Sequence, residues 1–513
     1  MSGSGSRARG AFIAWARMLF TGLALLAQIA LLVVAIWYFR SFSPWVLAAQ
    51  LVLALAVMTA IVSSDLAPEY KLAWILPLSI APVFGSVFYL LYGFHPLTAR
   101  ERRRSHQVEE NARKALAAVT QPPPADLSPS ASRQSEYLSG VGGFPRYDRT
   151  GVGYYPLGEA GFAQMLRDLE QAESYILFQY FIISAGHMWD QIFAVLSRKA
   201  HEGVEVRVLY DDVGSHFTIP RRFHQTLTEA GIKVQAINPL RPRLSLRYNH
   251  RDHRKILVID GRVGFTGGIN IGDEYINRIE VYGHWKDNLL RLEGPAVWSL
   301  AVIFFTAWDA SSTPTPLEGY RPAEPAQCEE AGGWVQPFTD SPYDDLTVGL
   351  DTYLSLFSQA KQSVDILTPY LILDARTTAT LVTAARSGVR VRIVTPHIGD
   401  SWLVHEATRS FYGVLVSAGV EVYEYTPGYM HAKVVVADGD TAVVGTINFD
   451  YRSFYLHHEN AVWLHRVPAI AEITADFGDV LAHSQPVGPD ALAAVPWWRR
   501  GVRAVVRVFA PLL

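Results

Sequence analysis

Two polar skeletons of identical spacing mark the 513-residue sequence. His253, Lys255, Asp260, Gly267 and Asn270 recur as His431, Lys433, Asp438, Gly445 and Asn448, 178 residues further on. After each histidine the chain reads "KILVID" or "KVVVAD", a short strand in either case. Residues two apart share a strand face, so histidine and lysine point the same way. An imidazole beside an ammonium suits a phosphate: the ring can attack phosphorus or deliver a proton, and the cation holds oxygens. Asn270 and Asn448, past the Gly267-Gly268 and Gly445-Thr446 turns, can donate hydrogen bonds to developing negative charge. A lone skeleton of this kind carries little weight. Two copies facing each other would set two histidines about one phosphodiester. One attacks, the other protonates the leaving alkoxide, and neither a metal nor a cofactor is required.

The elements that must position these residues are also repeated. "SYILFQYFI" at 174–182 is matched by "SVDILTPYLI" at 363–372, each an apolar strand. "LSRKAHEGVEVRVLYDDVG" at 196–214 parallels "LVTAARSGVRVRIVTPHIG" at 381–399, a helix, a glycine turn and an alternating strand. "AGIKVQAINP" from Ala230 likewise parallels "AGVEVYEYTP" from Ala418. Matched features in one order predict a duplicated α/β unit, with halves at 150–328 and 329–485.

Half of the residues are hydrophobic and 18% are charged, with a net charge of -3. That balance argues against a general nucleic-acid binder. The single cysteine, Cys328, excludes an internal disulfide framework and a multi-cysteine metal site. The apolar excess gathers near the start. Between Met18 and Tyr92 only Arg40, Asp65, Glu69 and Lys71 are charged. Three apolar runs, about 18–38, 45–62 and 72–92, are each long enough for a membrane helix. Residues 1–95 therefore read as an anchor of two to three transmembrane helices. The basic cluster Arg100, Arg102, Arg103 and Arg104 favours a cytoplasmic catalytic region. Residues 96–149, with "QPPPADLSPSASRQS" at the centre, read as a basic juxtamembrane segment and linker.

The paired skeleton resembles the HKD motif of the phospholipase D superfamily. "HRDHRKILVIDGRVGFTGGINIGDEY", "HWKDNLLRLEGPAV", "GTINFDYRSFYLHHEN" and the apolar stretch ending "YLLYGFHPL" are similar to segments of bacterial cardiolipin synthases. The resemblance implies two mixed-sheet halves sharing one active site, and a phosphohistidine intermediate. It implies that a carboxylate downstream of each motif hydrogen-bonds the other nitrogen of that histidine: Asp287 in the first half and Glu459 in the second. The motif set His253, Lys255, Asp260, His431, Lys433 and Asp438 is then the catalytic set, with the aspartates bracing the strand turn. His253 is favoured as nucleophile. One departure is His457, where the family usually has asparagine.

The resemblance further implies a phosphatidyltransferase in a bacterial inner membrane, joining two phosphatidylglycerol molecules into cardiolipin with release of glycerol. Its alternatives are a hydrolytic phospholipase D or a transferase using phosphatidylethanolamine as acceptor. A nuclease and a non-enzymatic scaffold fit the anchor and the intact motifs less well. Two basic segments are candidates for the lipid surface. Arg241, Arg243 and Arg247 lie in an insertion before the first motif and could lean on anionic headgroups. The end, 486–513, carries "PWWRRGVRAVVRVFAPLL", an amphipathic segment.

Overall fold

Strands rich in valine, isoleucine and tyrosine alternate with helices after Gly151 and assemble into two sheets of matching order. The computed structural model describes residues 44–64, 66–93, 99–121, 127–239, 250–322, 328, 331–344 and 346–512, with Ala30, Val34 and Trp37. They form two units, one within the first 96 residues and one from Leu97 onward.

In the larger unit the first half supplies β1 (Gly151–Tyr155), β2 (Tyr175–Tyr180), β3 (Glu205–Asp211), β4 (Lys233–Ile237), β5 (Ile256–Ile259), β6 (Val263–Gly267), β7 (His284–Lys286) and β8 (Leu289–Glu293). Seven of these form a sheet of order β1-β8-β6-β5-β2-β3-β4. The second half supplies β9 (Trp334–Asp340), β10 (Ser363–Leu367), β11 (Arg390–Pro396), β12 (Glu421–Tyr425), β13 (Gly428–Met430), β14 (Val434–Ala437), β15 (Thr441–Gly445), β16 (Glu459–His465) and β17 (Ser484–Pro486). Its sheet runs β9-β16-β15-β14-β10-β11-β12-β17, the same order with one added edge strand. Each sheet joins a parallel trio to an antiparallel meander through its motif strand, β5 or β14. The motif strands are therefore central and wholly buried. The duplicated α/β architecture expected from the repeat is present.

Among the contacts that tie the halves together are a buried helix and a short ribbon. The helix Val297–Asp309, buried on nearly every face, packs on β5 of one sheet and β9 of the other. A second tie is the parallel ribbon of β7 with β13, pairing Gly428 with His284. A Cβ at Gly428 would lie 2.2 Å from the His284 carbonyl oxygen, so only glycine lets these backbones meet.

The stretch read as a linker contains two helices, Ala99–Ala117 and Pro129–Gly140. The sequence carries a start signal for the second. The Ser128 hydroxyl accepts from Ala131 N at 3.2 Å and proline occupies the first helical turn, as capping requires. The Gln134 side chain on this helix accepts from Trp463 Nε1 at 2.9 Å.

In the smaller unit, helices Pro44–Val62, Pro68–Ile80 and Pro82–Tyr92 pack around Val57, Ile61, Trp74, Leu78 and Tyr89. The third apolar run is thus two helices rather than one. Ala81 is non-helical (φ -138°, ψ 80°), and Pro82, lacking an N–H, starts the next helix. Among the described residues no helix is long and apolar enough to cross a membrane. Most of the first run, and Arg241, Arg243 and Arg247, lie outside the described residues.

Candidate active site

Each motif histidine stands just before its central strand, where the ends of the two halves meet. Its backbone is pinned by the opposite half: His253 N donates to His458 O at 2.9 Å, and His431 N donates to Lys286 O at 2.7 Å. These carbonyls directly precede Glu459 and Asp287, and each carboxylate is thereby aimed at a histidine of the other half. His253 Nδ1 lies 3.0 Å from both Glu459 oxygens, and His431 Nδ1 lies 2.5 Å from Asp287 Oδ2. The expectation that each carboxylate serves the histidine of its own half is corrected. The pairs cross, because the ribbon of β7 with β13 and the Asp252–His458 bridge interleave the two halves.

The two pairs differ in detail. Glu459 also accepts from the Thr446 hydroxyl, and both groups are buried. The matching position in the first half is Gly268, where a Cβ would lie 1.9 Å from Asp287 Oδ1. The shorter carboxylate needs that space. His253 meets the Phe181 ring edge-on at 5.0 Å, whereas His431 is walled by Tyr275, Trp285 and Tyr429.

Both lysines are buried on the same faces as their histidines, as the strand spacing demands. Lys255 Nζ donates to His253 O at 2.7 Å. Lys433 Nζ donates to His431 O and lies 3.0 Å from His431 Nδ1. Burial disfavours charge here. It lowers Lys255 to about 7, aided by the neighbouring Lys433, and Lys433 to about 8. Burial likewise lowers His253 to about 3 and His431 to about 4, with Lys255 and Lys433 adding to the effect and the carboxylates opposing it. Burial alone would raise Glu459, but the His253 and His457 rings together outweigh it and hold the carboxylate below its usual range. Each ring is therefore neutral, its Nδ1–H given to a carboxylate, which leaves an Nε2 lone pair as a nucleophile or base.

The motif aspartates, counted among the catalytic residues in the sequence reading, sit at the far end of the strands from the histidines. Asp260 accepts from the backbone N–H of Glu173, Ser174 and Tyr175 at 2.7–2.8 Å, and Asp438 accepts from those of Lys361, Gln362 and Ser363. Both have left-handed backbones (φ 53° and 52°). They brace the turns and the starts of β2 and β10, as expected of the Asp-Gly pairs.

The asparagines are unequal. The Asn270 amide oxygen accepts from Ile182 N at 3.1 Å and its nitrogen donates to the Tyr275 hydroxyl at 2.8 Å. It is largely committed to the fold. The Asn448 amide oxygen is buried with no hydrogen-bond partner among the described residues. Sequence reasoning missed Asn460, whose oxygen accepts from Lys255 N and whose nitrogen donates to Thr266. Its position directly after Glu459, like Asn288 after Asp287, was the available signal.

His457, noted as a departure, lies 3.7 Å from Glu459, with its ring 5.6 Å from that of His253. Among the described residues neither ring nitrogen has a hydrogen-bond partner. His253, His457 and Glu459 could hold a metal ion, their donor atoms lying within 4.8 Å of one another. Such an ion would have to displace the bond between His253 and Glu459.

Comparison with known proteins gives a consistent picture. The family model described as "Cardiolipin synthase, PLD-like domain" matches residues 165–287 and 353–481, one stretch in each half. An uncharacterised protein of Streptococcus mutans is 38% identical over 88% of this chain and 98% of its own length. Cardiolipin synthase 1 of Bacillus anthracis and cardiolipin synthase of Geobacillus kaustophilus are each 34% identical, over 87% of this chain and 89% of theirs. Among solved structures, phosphatidylserine synthase of Haemophilus influenzae shares the fold, with a TM-score of 0.58 and 14% identity over 75% of this chain and 98% of that one.

Proposed function

The chain belongs to the cardiolipin synthase family of phospholipase D-like proteins, and on that premise we propose that it is a membrane-associated phosphatidyltransferase. It joins two phosphatidylglycerol molecules into cardiolipin and releases glycerol. The observation that carries the reading is the pair of crossed, buried histidine–carboxylate dyads, each with a buried lysine beside it.

His253 Nε2 attacks phosphorus, the bond to the glycerol headgroup breaks, and the leaving alkoxide takes a proton from His431. Glu459 offsets the positive charge that develops on the phosphorylated ring. The bound phosphodiester anion offsets the lysines, and so favours the protonated form of His431 that this step requires. A hydroxyl of the second phosphatidylglycerol then gives its proton to His431 and attacks phosphorus, which frees His253 and forms cardiolipin. Lys255, Lys433 and Asn448 hold the phosphate oxygens, with the remaining Asn270 N–H assisting. No cofactor takes part.

The placement proposed is the bacterial cell membrane, with the N-terminal helices embedded as a multi-pass anchor and the catalytic halves on the cytoplasmic side. The exposed apolar side chains of those helices, among them Trp45, Val52, Leu55, Leu72 and Ile80, support burial in lipid, since water would leave them unscreened. The basic cluster at 100–104 supports the orientation.

The test incubates the full-length protein with labelled phosphatidylglycerol, with and without phosphatidylethanolamine, and identifies the products. Cardiolipin and glycerol in equal amounts are expected. Phosphatidic acid as the main product would replace the transferase with a hydrolase. Substantial cardiolipin from His253→Ala or His431→Ala would overturn the two-histidine scheme.

A further inference from the structure

The C-terminal helix Trp497–Phe509 is mounted on the catalytic body by its arginines. Arg499 and Arg503, one turn apart, both reach the buried Glu406 on the helix Trp402–Val416, the second at 2.7 Å. Arg507 continues along that helix, with its guanidinium 4.5 Å above the Phe411 ring. Val506 and Ala510 are buried on the same side. With two of its cations neutralised inward, the helix turns apolar residues outward: Trp497 is 83% exposed, Trp498 51%, Val505 60% and Val508 45%. Ala504 lies in the same outward arc and is also exposed.

We propose that this outward face is an interfacial surface that lies in an anionic lipid bilayer. Three observations select that occupant. Arg500 and Arg507 border the apolar arc on one side. Arg500 donates to the carbonyls of Val495 and Ala493 and Arg507 to that of Ser410, which leaves each guanidinium further N–H groups for lipid phosphates while the rings and valines enter the acyl boundary. Two tryptophans stand at one end, and the neighbouring helix adds Trp402 and Leu403, also exposed, at that same end. The two helices run in one direction, since Arg499 meets Glu406 and Arg507 meets Phe411. Amphipathic tryptophan rings collect at the headgroup level of membranes. The third observation is size. A helix face about 20 Å long and about 10 Å wide offers on the order of 200 Å², well short of the ~800 Å² per partner of a stable protein interface. A bilayer sets no such minimum.

The inference rests on the reading that the substrate is a membrane lipid, but its test does not use turnover. The full chain carries Cys328→Ser and Val508→Cys, is spin-labelled at position 508 and is reconstituted into vesicles of phosphatidylglycerol and phosphatidylethanolamine. Ser387→Cys, on an exposed loop of the catalytic body, is the reference. Collisions with dissolved oxygen, which concentrates in hydrocarbon, are expected to exceed those with a water-soluble nickel chelate at 508 and to fall below them at 387. Trp497→Ser with Trp498→Ser in the same chain should lower the oxygen-to-nickel ratio at 508 several-fold. Equal nickel access at 508 and 387 overturns the proposal. So does dipolar broadening between labels at 508, which would make the face a contact between two copies. An inactive protein can still pass this test, and an active one can fail it.

Discussion

Replacing Glu459 by glutamine keeps the shape of the site and removes one charge. Both Glu459 oxygens lie 3.0 Å from His253 Nδ1, which puts the centres of charge about 4 Å apart. At an effective dielectric near 20, a unit pair at that distance interacts by about 4 kcal/mol. The glutamine carbonyl can still accept the Nδ1–H bond and so recovers part of this, leaving a loss of about 3 kcal/mol, roughly a hundredfold in rate. On the proposed mechanism the loss belongs to formation of the phosphorylated ring, because only there would His253 carry positive charge. Asp287→Asn disturbs His431 instead, and therefore protonation of the leaving group. Substrates separate the two. Single-turnover release from phosphatidylglycerol should be slow in both variants. A phosphatidyl ester of p-nitrophenol, whose leaving group needs no proton, should restore Asp287→Asn towards the parent rate and leave Glu459→Gln slow. Restoration of Glu459→Gln with Asp287→Asn still slow would refute the combination of this crossed pairing with His253 as nucleophile. Unchanged thermal unfolding of each variant would exclude a trivial loss of structure.

Further outcomes follow from the same geometry. Burial holds Lys255 near about 7 and Lys433 near about 8, so both lose charge at lower pH than ordinary lysines; kcat/KM should fall as pH rises through that window, and Lys255→Arg, which keeps its charge, should move the fall upward. Asp260→Ala strands three backbone donors and leaves alanine at φ 53°; about 3 kcal/mol of stability should go, read as a drop in Tm of several degrees, with kcat below the transition near that of the parent. The His457 ring, with no hydrogen bond to either nitrogen among the described residues, should serve the substrate, so His457→Ala is expected to raise KM for lipid several-fold at unchanged Tm; an unchanged KM would assign the ring to packing alone.

Much of this was legible because the repeat is written in polar residues. The spacing of His253, Lys255 and Asp260 could be laid over that of His431, Lys433 and Asp438, and the strands between them follow from alternation. The crossing of the dyads was not legible. Chain order places Glu459 after His431, but the Asp252–His458 bridge sets it against His253, as the ribbon of β7 with β13 sets Asp287 against His431. Asn270 shows a similar gap: an amide after a glycine turn reads as a phosphate donor, yet Ile182 and Tyr275 engage it first. The helix Pro129–Gly140 was hidden by composition, since proline and serine suggest a linker unless Ser128-Pro129 is taken as a cap. The division at Ala81 was signalled by Pro82, which an unbroken count of apolar residues overlooks.

The interleaving of the halves also sets when the enzyme can exist. During synthesis His253 leaves the ribosome about 200 residues ahead of Glu459 (their separation is 206), and Asp287 waits in turn for His431. A nascent chain with its first half folded holds a histidine without its carboxylate and a carboxylate without its histidine. On the proposed mechanism, chemistry is therefore withheld until nearly the whole chain has emerged, and truncated products of interrupted translation hold His253 without its Glu459 partner.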